Sequence, residues 1–515
     1  MSSAIISNHK NRKQEMDEPY TACLCNNKAC QCAIEALRDK GMQALLLASQ
    51  EDVSDKRIRF VPRASIIKEI RPDYISKVLQ RVDIAEHNIA DDLEQATNCI
   101  SPRGGCSCED HLCTGRRVMF ASLLFAGLHH ILAHFRHADN PGSCDGSLWK
   151  LSQAGMQFDD EEPIFRDIQQ LNGPEKDLFI YWECWLRGLC IQKGGDNNEV
   201  AKLAVKDGLE DAILLPWESI EHDTRLSRRQ PTQASNRTQV IGLQSAKVEK
   251  VCIHRSHHNL DDSTNYFALK TFLDDFDPRS NFEKELENNN AVPHSDRILP
   301  LLAAFEHRGK FYLLFPWTEL RDLRNIWKRF SPVYDQSTGR HMHHTTWYSS
   351  QWLLEECLGI TSAVADIHGR KGSASRQQFL LHADIKPDNI LGFHNGDSIS
   401  LKLADFGHSH ILTPNSPDVL VSAMVNPRTY RAPEYDIQEK ATIKYDVWSL
   451  GCLFLDFVTW ALLGCDEVQR FQDRRLSEEN DPKADYGSMS EDTFFKRSND
   501  PQGTPEWQLH EKTHL

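Results

Sequence analysis

One short stretch, LHADIKPDN, constrains the fold and chemistry of this 515-residue chain more than any other. It places a carboxylate at Asp384, an ammonium at Lys386 and an amide at Asn389. Pro387 stiffens the turn between them because its ring fixes φ. Three polar groups in one tight loop suit phosphoryl transfer, in which a protein positions a hydroxyl, offsets phosphate charge and holds a metal ion.

Three further motifs follow in order. LKLADFG is an apolar strand that delivers Asp405 beside the small Gly407, RAPE ends at Glu434, and DVWSLG begins at Asp446. The order and spacing of the four motifs resemble those of the eukaryotic-type protein kinases. The resemblance covers the chain from about residue 239 onward. It implies an α+β, bilobal fold with a small antiparallel sheet lobe and a helical lobe.

The resemblance also implies a role for each polar residue. Asp384 accepts or orients the proton of the substrate hydroxyl, and Lys386 is a cation that faces the phosphates. Asn389 and Asp405 are the expected magnesium ligands, and Lys270, which closes the strand FALK, reaches the α- and β-phosphates of ATP. ATP and Mg²⁺ are therefore the predicted cofactors.

A glutamate on the next helix should pair with Lys270. Glu285 matches the family spacing best, while Glu283 and Glu287 stay open as alternatives. One turn after Glu285 the family usually has an apolar residue that contacts the DFG phenylalanine. Here that residue is Asn289, so we expect a less firmly packed helix.

The glycine-rich loop differs most from the family pattern. The segment IGLQSAKVEKV keeps one glycine, Gly242, with Lys247 and Lys250 as candidate replacements for its charge. Because Cβ atoms hinder close approach of backbone amides to phosphate, we expect weakened nucleotide binding. In the predicted hinge, FYLLFPWTEL, Pro316 has no N–H, so Trp317 should supply the amide contact to adenine.

Two further departures concern the support of the catalytic loop. Ala383 replaces the usual arginine of HRD, which receives an activating phosphate, so activity should not depend on phosphorylation. Pro427 stands where a threonine usually contacts the loop. Beyond Gly464 the sequence is polar with little periodicity and ends at Leu515, so we expect an incomplete C-terminal lobe.

The resemblance implies an ATP-dependent protein kinase that transfers the γ-phosphate to serine or threonine hydroxyls of protein substrates. Lys386 is typical of serine/threonine kinases rather than tyrosine kinases. The alternative is a pseudokinase, a binding or scaffold module whose altered glycine loop leaves little turnover.

The first half of the chain has apolar residues at helical intervals. We predict an α-helical regulatory or interaction region over residues 1–220, a polar linker over 221–238 and the two-lobed domain over 239–515, with lobes at 239–317 and 318–515. A regulatory partner of the helical region is expected.

Two local cysteine clusters occur in the first half, in CLCNNKACQC and around CSCEDHLC. Their sulfurs could bind zinc, but the closest pairs are separated by one residue, where common zinc sites have two to four. Reduced thiols are the alternative. The apolar run from Val118 to Phe135 includes His129, His130 and His134, which favours a buried helix over a membrane span.

The net charge of −15 argues against nucleic acid or an anionic membrane surface as the main partner. The first twenty residues have no apolar core of a secretory signal, which predicts an intracellular protein, cytoplasmic or nuclear.

Overall fold

The computed structural model divides the chain into two compact units. The helical unit comprises residues 1–191, 209–218 and 253–265, and the bilobal unit comprises 192–208, 219–252 and 266–515. The residues described within them are 31–51, 61–86, 93–101, 114–132, 135, 163–187, 191, 201–203, 217–222, 246–260, 263–273, 277–335, 337, 340–343, 345–369, 378–424, 429–437, 439–479, 492–499 and 505–509.

The predicted α-rich character of the first half is confirmed. Buried aliphatic and aromatic side chains from the successive helices form one core. The helices described in this unit are α1 (Gln31–Glu51), α2 (Arg63–Glu69), α3 (Pro72–Glu86), α4 (Leu93–Ile100), α5 (Arg117–Phe125), α6 (Pro163–Gln170) and α7 (Gly173–Arg187).

Helix α5 is shorter than the apolar run in which it lies. Every residue from Val118 to Phe125 is buried, and the helix then ends at a turn where Gly127 has φ 79°. The backbone N–H of Leu128 donates to the carbonyl of Leu123 at 2.9 Å across that turn. The expectation of one helix through Phe135 was therefore wrong, because a left-handed glycine interrupts it.

The segment 253–265, which connects two strands of the sheet, belongs to the helical unit. Ile191 donates its N–H to the carbonyl of His257 at 2.9 Å and accepts from the N–H of Asn259 at 3.3 Å. The N–H of Arg63 donates to Nε2 of His257 at 3.3 Å, and His257 is fully buried. The helical unit therefore includes a segment that the sequence analysis assigned to the nucleotide lobe.

The sheet lobe has six strands in the order β1-β5-β6-β4-β3-β2. The pairs β3–β4, β4–β6 and β5–β6 are antiparallel, as predicted, whereas β1 runs parallel to β5. The strands are β1 (Ala201–Leu203), β2 (Trp217–His222), β3 (Ala246–Ile253), β4 (Tyr266–Phe272), β5 (Ala303–His307) and β6 (Lys310–Pro316), with the helix α8 (Pro278–Ala291) between β4 and β5.

The first two strands of the sheet, β1 and β2, come from segments that the sequence did not predict as strands. Both lie before residue 239, within the predicted helical region and the start of the predicted 221–238 linker. The three residues of β1 are too few to show a period of two, and β2 has the polar sequence WESIEH. Their place in the sheet is set by pairing with neighbouring strands.

The helical lobe is built around α12, whose buried Trp460 donates from Nε1 to the carbonyl of Trp327 at 2.9 Å. By length and composition α12 could cross a membrane, but 56% of its apolar window is buried in the lobe, as in a core helix. The helices are α9 (Leu323–Arg329), α10 (Ser350–Ile367), α11 (Glu434–Ile437), α12 (Lys444–Leu463) and α13 (Cys465–Glu479).

Two-stranded ladders complete this lobe. They pair β7 with β8, β9 with β12, β10 with β11, β13 with β14 and β15 with β16. Their bounds are β7 (Val333–Asp335), β8 (Arg340–Met342), β9 (Phe379–Leu381), β10 (Ile390–Asn395), β11 (Ser398–Leu403), β12 (His410–Leu412), β13 (Val419–Leu420), β14 (Lys440–Ala441), β15 (Phe495–Asn499) and β16 (Pro505–Leu509).

Helix α13 lies where the sequence showed little periodicity. Its buried side includes Phe471 and Arg475, each 2% exposed. The Arg475 guanidinium lies 3.9 Å from the ring centroid of Phe494 and donates from Nε to Asp492 at 2.9 Å. The sequence did not show the apolar face of this helix because Arg475, paired with a carboxylate, occupies one of its core positions.

His410 in β12 should make the stability of the bilobal unit depend on pH. Burial, with Lys284 and His408 nearby, lowers the pKa of His410 from 6.5 to about 4. Between these values the unfolded chain binds a proton that the folded chain does not. The free energy of unfolding should therefore fall as the pH falls from 6.5 towards about 4.

The variant His410→Gln should lose part of this dependence. Urea unfolding of both proteins at about pH 7 and about pH 5 measures it. An equal fall in wild type and variant would contradict the assignment to His410.

Candidate active site

The hairpin β10–β11 positions two of the predicted site residues. Ile390 pairs with Leu403 at its open end, so Asn389, just before β10, and Asp405, just after β11, leave the same end of the ladder. The N–H of Ala404 donates to the carbonyl of Asn389 at 2.9 Å and closes this end. The hairpin therefore brings together a carboxylate and an amide that are separated along the chain.

The loop that carries Asp384 is held by Asp446 at the start of α12. The fully buried Asp446 carboxylate accepts from the N–H of His382 at 2.8 Å and of Ala383 at 2.9 Å, and Nε2 of His368 lies 2.7 Å away. Ala383 has φ 63°. This left-handed conformation costs about 1 kcal/mol in a residue with a Cβ. The hydrogen bonds to Asp446 offset that cost.

Asp384 lies among the other polar groups of its loop and is 4% exposed. Its Oδ2 accepts from Nζ of Lys386 at 2.6 Å and from Nδ2 of Asn389 at 2.9 Å. Both donors reach the same oxygen, so Oδ1 is the atom that can face a substrate hydroxyl. The sequence-predicted catalytic pair is therefore in direct contact.

Lys270 on β4 contacts two carboxylates from other elements. Its Nζ lies 2.7 Å from Glu285 on α8 and 3.0 Å from Asp405. Of the three glutamates left open by the sequence, Glu285 is the one that makes this contact. It is 3% exposed, whereas the side chain of Glu283 pairs with Arg279 at 3.4 Å.

Lys270 and the two carboxylates shift one another's pKa values. Burial disfavours the charge on Lys270, but the carboxylates of Asp405 and Glu285 outweigh burial and hold its pKa above the ordinary range. Burial likewise opposes the charge on Asp405, yet Lys270, with His408 and Lys386, holds the pKa of Asp405 well below its ordinary range. Both groups are therefore charged near neutral pH.

The Glu285 carboxylate lies close to Gly407, which has no Cβ. A Cβ at Gly407 would lie 2.9 Å from Oε2 of Glu285 and 3.3 Å from Oδ1 of Asp405. The DFG glycine thus leaves room for the two carboxylates.

The residues fit a hard divalent cation shared with phosphate oxygens. Asn389 uses its Nδ2 to donate to the carbonyl and carboxylate of Asp384, which leaves its amide oxygen as a ligand atom. Asp405 supplies an ionised carboxylate. Among the described residues no three His, Cys, Asp or Glu side chains form a metal site. Two protein oxygens suit Mg²⁺, which usually completes its shell with phosphates and water.

The nucleotide side of the site is described in part. Gly242 lies outside the described residues. Lys247 pairs with Glu249 at 2.8 Å, and Lys250 pairs with Glu319 and lies 5.4 Å from the ring centroid of Trp317. Each lysine considered as a replacement for the glycine loop thus already has a carboxylate partner.

Trp317 follows the last residue of β6, as expected of a hinge. Pro316 pairs with Phe267 of β4, and Nε1 of Trp317 donates to Glu319 at 3.0 Å. The hydroxyl of Thr318 donates to the carbonyl of Gly392, which joins the hinge to the hairpin β10–β11. The amide contact of Trp317 with adenine stays a prediction.

Sequence reasoning missed two residues near Asp405, Asn288 and His408. Asn288 donates to the DFG segment, whereas its neighbour Asn289 donates back to the carbonyl of Glu285 at 2.8 Å. Burial lowers the pKa of His408, which favours its neutral form. For Asn288 the only sequence signal was a run of three asparagines, which resembles a polar helix end.

Several predicted features lie outside the described residues. They are Pro427 and six of the eight cysteines in the two clusters; Cys32 lies in α1 and Cys99 lies in α4. The zinc hypothesis and the missing threonine support therefore stay predictions.

Comparison with known proteins finds one matching family. The protein kinase domain family matches residues 252–488. Cyclin-dependent kinase 7 of Dictyostelium discoideum is 26% identical over 246 residues, 45% of this chain and 52% of that protein. Probable serine/threonine-protein kinase nek2 of the same organism is 27% identical over 179 residues, 35% of this chain and 36% of that protein.

A shorter stretch is more similar to another kinase. Mitogen-activated protein kinase HOG1 of Exserohilum turcicum is 38% identical over 95 residues, 18% of this chain and 26% of that protein. The chain thus spans about half or less of the length of these relatives.

The family match, these relatives and the contacts of Lys270, Asp384 and Asp405 agree. The predicted α+β fold is confirmed, with an antiparallel sheet lobe, a helical lobe and a helical region before them. Over residues 252–488 the chain is therefore similar to the protein kinase domain family.

Proposed function

We propose that the chain is an ATP- and Mg²⁺-dependent protein kinase that transfers the γ-phosphate to serine or threonine hydroxyls of protein substrates. The observation that carries this proposal is the contact of Lys270 with both Glu285 and Asp405, at 2.7 and 3.0 Å. In kinases the lysine–glutamate pair and the metal-binding aspartate must both be in place for transfer.

Each side chain has a defined task in this reaction. Oδ1 of Asp384 accepts or orients the hydroxyl proton of the substrate, and Lys386, whose Nζ lies 2.6 Å from Oδ2, would face the transferred phosphoryl group. Lys270 stays protonated and would face the α- and β-phosphates of ATP. Asn389 and Asp405 would hold Mg²⁺, which would offset the negative charge of the phosphates.

A pseudokinase that acts as a binding or scaffold module is the second candidate, and it is not favoured. In its favour, the glycine-rich loop has a single glycine, Gly242, and should bind nucleotide less well. Against it, Lys386 and Asn389 both contact Asp384, and Lys270 contacts Glu285 and Asp405.

The same proposal assigns partners and a place of action. ATP and a protein are the substrates, the helical region takes a regulatory partner, and neither nucleic acid nor membrane is the main partner at a net charge of −15. We place the protein inside the cell, where ATP is available and thiols such as Cys357 and Cys452 stay reduced.

Activity should not depend on phosphorylation of the segment after Asp405. Ala383 cannot receive a phosphate as an arginine does, and Ser409 is fully buried. Treatment with a broad phosphatase, followed by its removal, should leave the transfer rate within about twofold of the untreated rate. Mass spectrometry confirms dephosphorylation, and a loss of activity that ATP preincubation restores would contradict this prediction.

The direct test of the function is transfer of labelled γ-phosphate from MgATP to protein by the full chain. Wild type should label serine or threonine, and Asp384→Asn should not. Binding of MgATP without any transfer by wild type would favour the scaffold module.

A further inference from the structure

Asn288 on α8 makes two buried contacts that the family roles above do not use. It is 3% exposed, and its Nδ2 donates to the carbonyl oxygens of Phe406 and Ser409 at 2.9 Å each. Both hydrogens of the amide are thereby used. A single side chain thus crosslinks α8 to a backbone segment more than one hundred residues later.

The two carbonyls belong to the turn that follows the metal-binding aspartate. The N–H of Ser409 donates to the carbonyl of Phe406 at 3.2 Å, so Asn288 bonds to both ends of that turn. The Ser409 hydroxyl donates in turn to the carbonyl of His382 at 3.3 Å. The contacts therefore run from α8 through the turn to the catalytic loop.

The position of Asn288 on the helix couples two parts of the site. It lies three residues after Glu285, so one turn of α8 delivers Glu285 to Lys270 and Asn288 to the turn after Asp405. A shift of α8 that separates Glu285 from Lys270 would also break both bonds of Asn288. Asp405 itself has φ 66°, a conformation that its neighbours must hold.

Two devices that usually order this region are altered here. Ala383 cannot bind a phosphate on the segment, and Asn289 turns its amide back to its own helix at 2.8 Å. We propose that Asn288 is a positioning residue that holds the Asp405 turn in its metal-binding arrangement without phosphorylation. This rests on the proposed kinase function for its catalytic consequence, though not for its structural one.

The test compares Asn288→Leu, which has a similar volume and no donor, with Asn289→Leu on the same helix. Asn288→Leu should lower kcat about tenfold and raise the Mg²⁺ concentration for half-maximal rate, with KM for ATP changed less than about threefold. Asn289→Leu should change neither by more than about twofold. Asn288→Asp, which keeps the shape but cannot donate, should behave as Asn288→Leu.

Hydrogen exchange without nucleotide gives a readout that needs no activity. Backbone amides of residues 405–411 should exchange at least about tenfold faster in Asn288→Leu, while amides of α12 keep their wild-type rates. This readout stands even if wild type transfers no phosphate, so failure of the function and failure of this proposal are distinguishable.

Two outcomes would overturn the proposal. The first is that Asn288→Leu keeps both the wild-type exchange rates of residues 405–411 and the wild-type Mg²⁺ dependence. If the wild-type protein is inactive, unchanged exchange rates alone suffice. The other is global unfolding of both Asn288 variants, since Asn288 would then be a general core residue of the lobe.

Discussion

Replacing Asp384 by asparagine is expected to lower the rate of phosphate transfer by about a thousandfold. The change keeps the side-chain shape, but the amide can no longer accept the proton of the substrate hydroxyl. If its amide oxygen accepts from Nζ of Lys386, which lies 2.6 Å from Oδ2 in wild type, the amide nitrogen takes the place of Oδ1 and cannot accept a proton. Steady-state transfer of labelled phosphate to a generic protein substrate measures the loss, and MgATP affinity should change less than about threefold.

A matched control lies on the hairpin β10–β11. Asp397 is exposed in the turn at the closed end of β10–β11, far along the ladder from Asn389 and Asp405. Asp397→Asn should leave the rate within about twofold of wild type. A wild-type rate in Asp384→Asn would remove Asp384 from the reaction and, with it, the assignment of this loop.

Replacing Asp446 by alanine is expected to have the largest effect on stability, a loss of about 3–5 kcal/mol. The substitution leaves the buried N–H groups of His382 and Ala383 without their acceptor, and each such group costs about 1–3 kcal/mol. It also frees Ala383 from the bonds that hold its left-handed backbone. Since whole domains are stable by only about 5–15 kcal/mol, much of the protein should unfold at moderate urea concentrations.

Urea unfolding followed by circular dichroism measures this change. Asp418→Ala is the control, because the Asp418–Lys440 ion pair is partly exposed and should be worth less than about 1 kcal/mol. Equal stability of the two variants would show that the loop is held by contacts other than those to Asp446.

The contacts among the predicted site residues follow from local sequence because their geometry depends on few bonds. The strand before Asp405 and the strand after Asn389 are adjacent in sequence and form one hairpin. A short turn therefore fixes which end of the ladder these residues leave. The spacing between Lys270 and Glu285 similarly reflects one strand followed by one helix.

Features that depend on distant partners could not be predicted from the same sequence. Strand β1 gains its identity from pairing with β5, about a hundred residues away. The segment 253–265 looks like a polar loop, but it is held by Arg63 and Ile191 of the helical unit. Arg475 and Asn288 look like surface residues because nothing local reveals their buried carboxylate and carbonyl partners.

The central claim is that this kinase domain transfers phosphate and does more than bind nucleotide. Its most direct test is to incubate the full wild-type chain with MgATP and a protein mixture, and to measure nucleotide binding and phosphoamino acids in the same sample. The account predicts saturable MgATP binding together with phosphoserine or phosphothreonine on the added proteins. Saturable binding with no phosphoamino acid formed would contradict it.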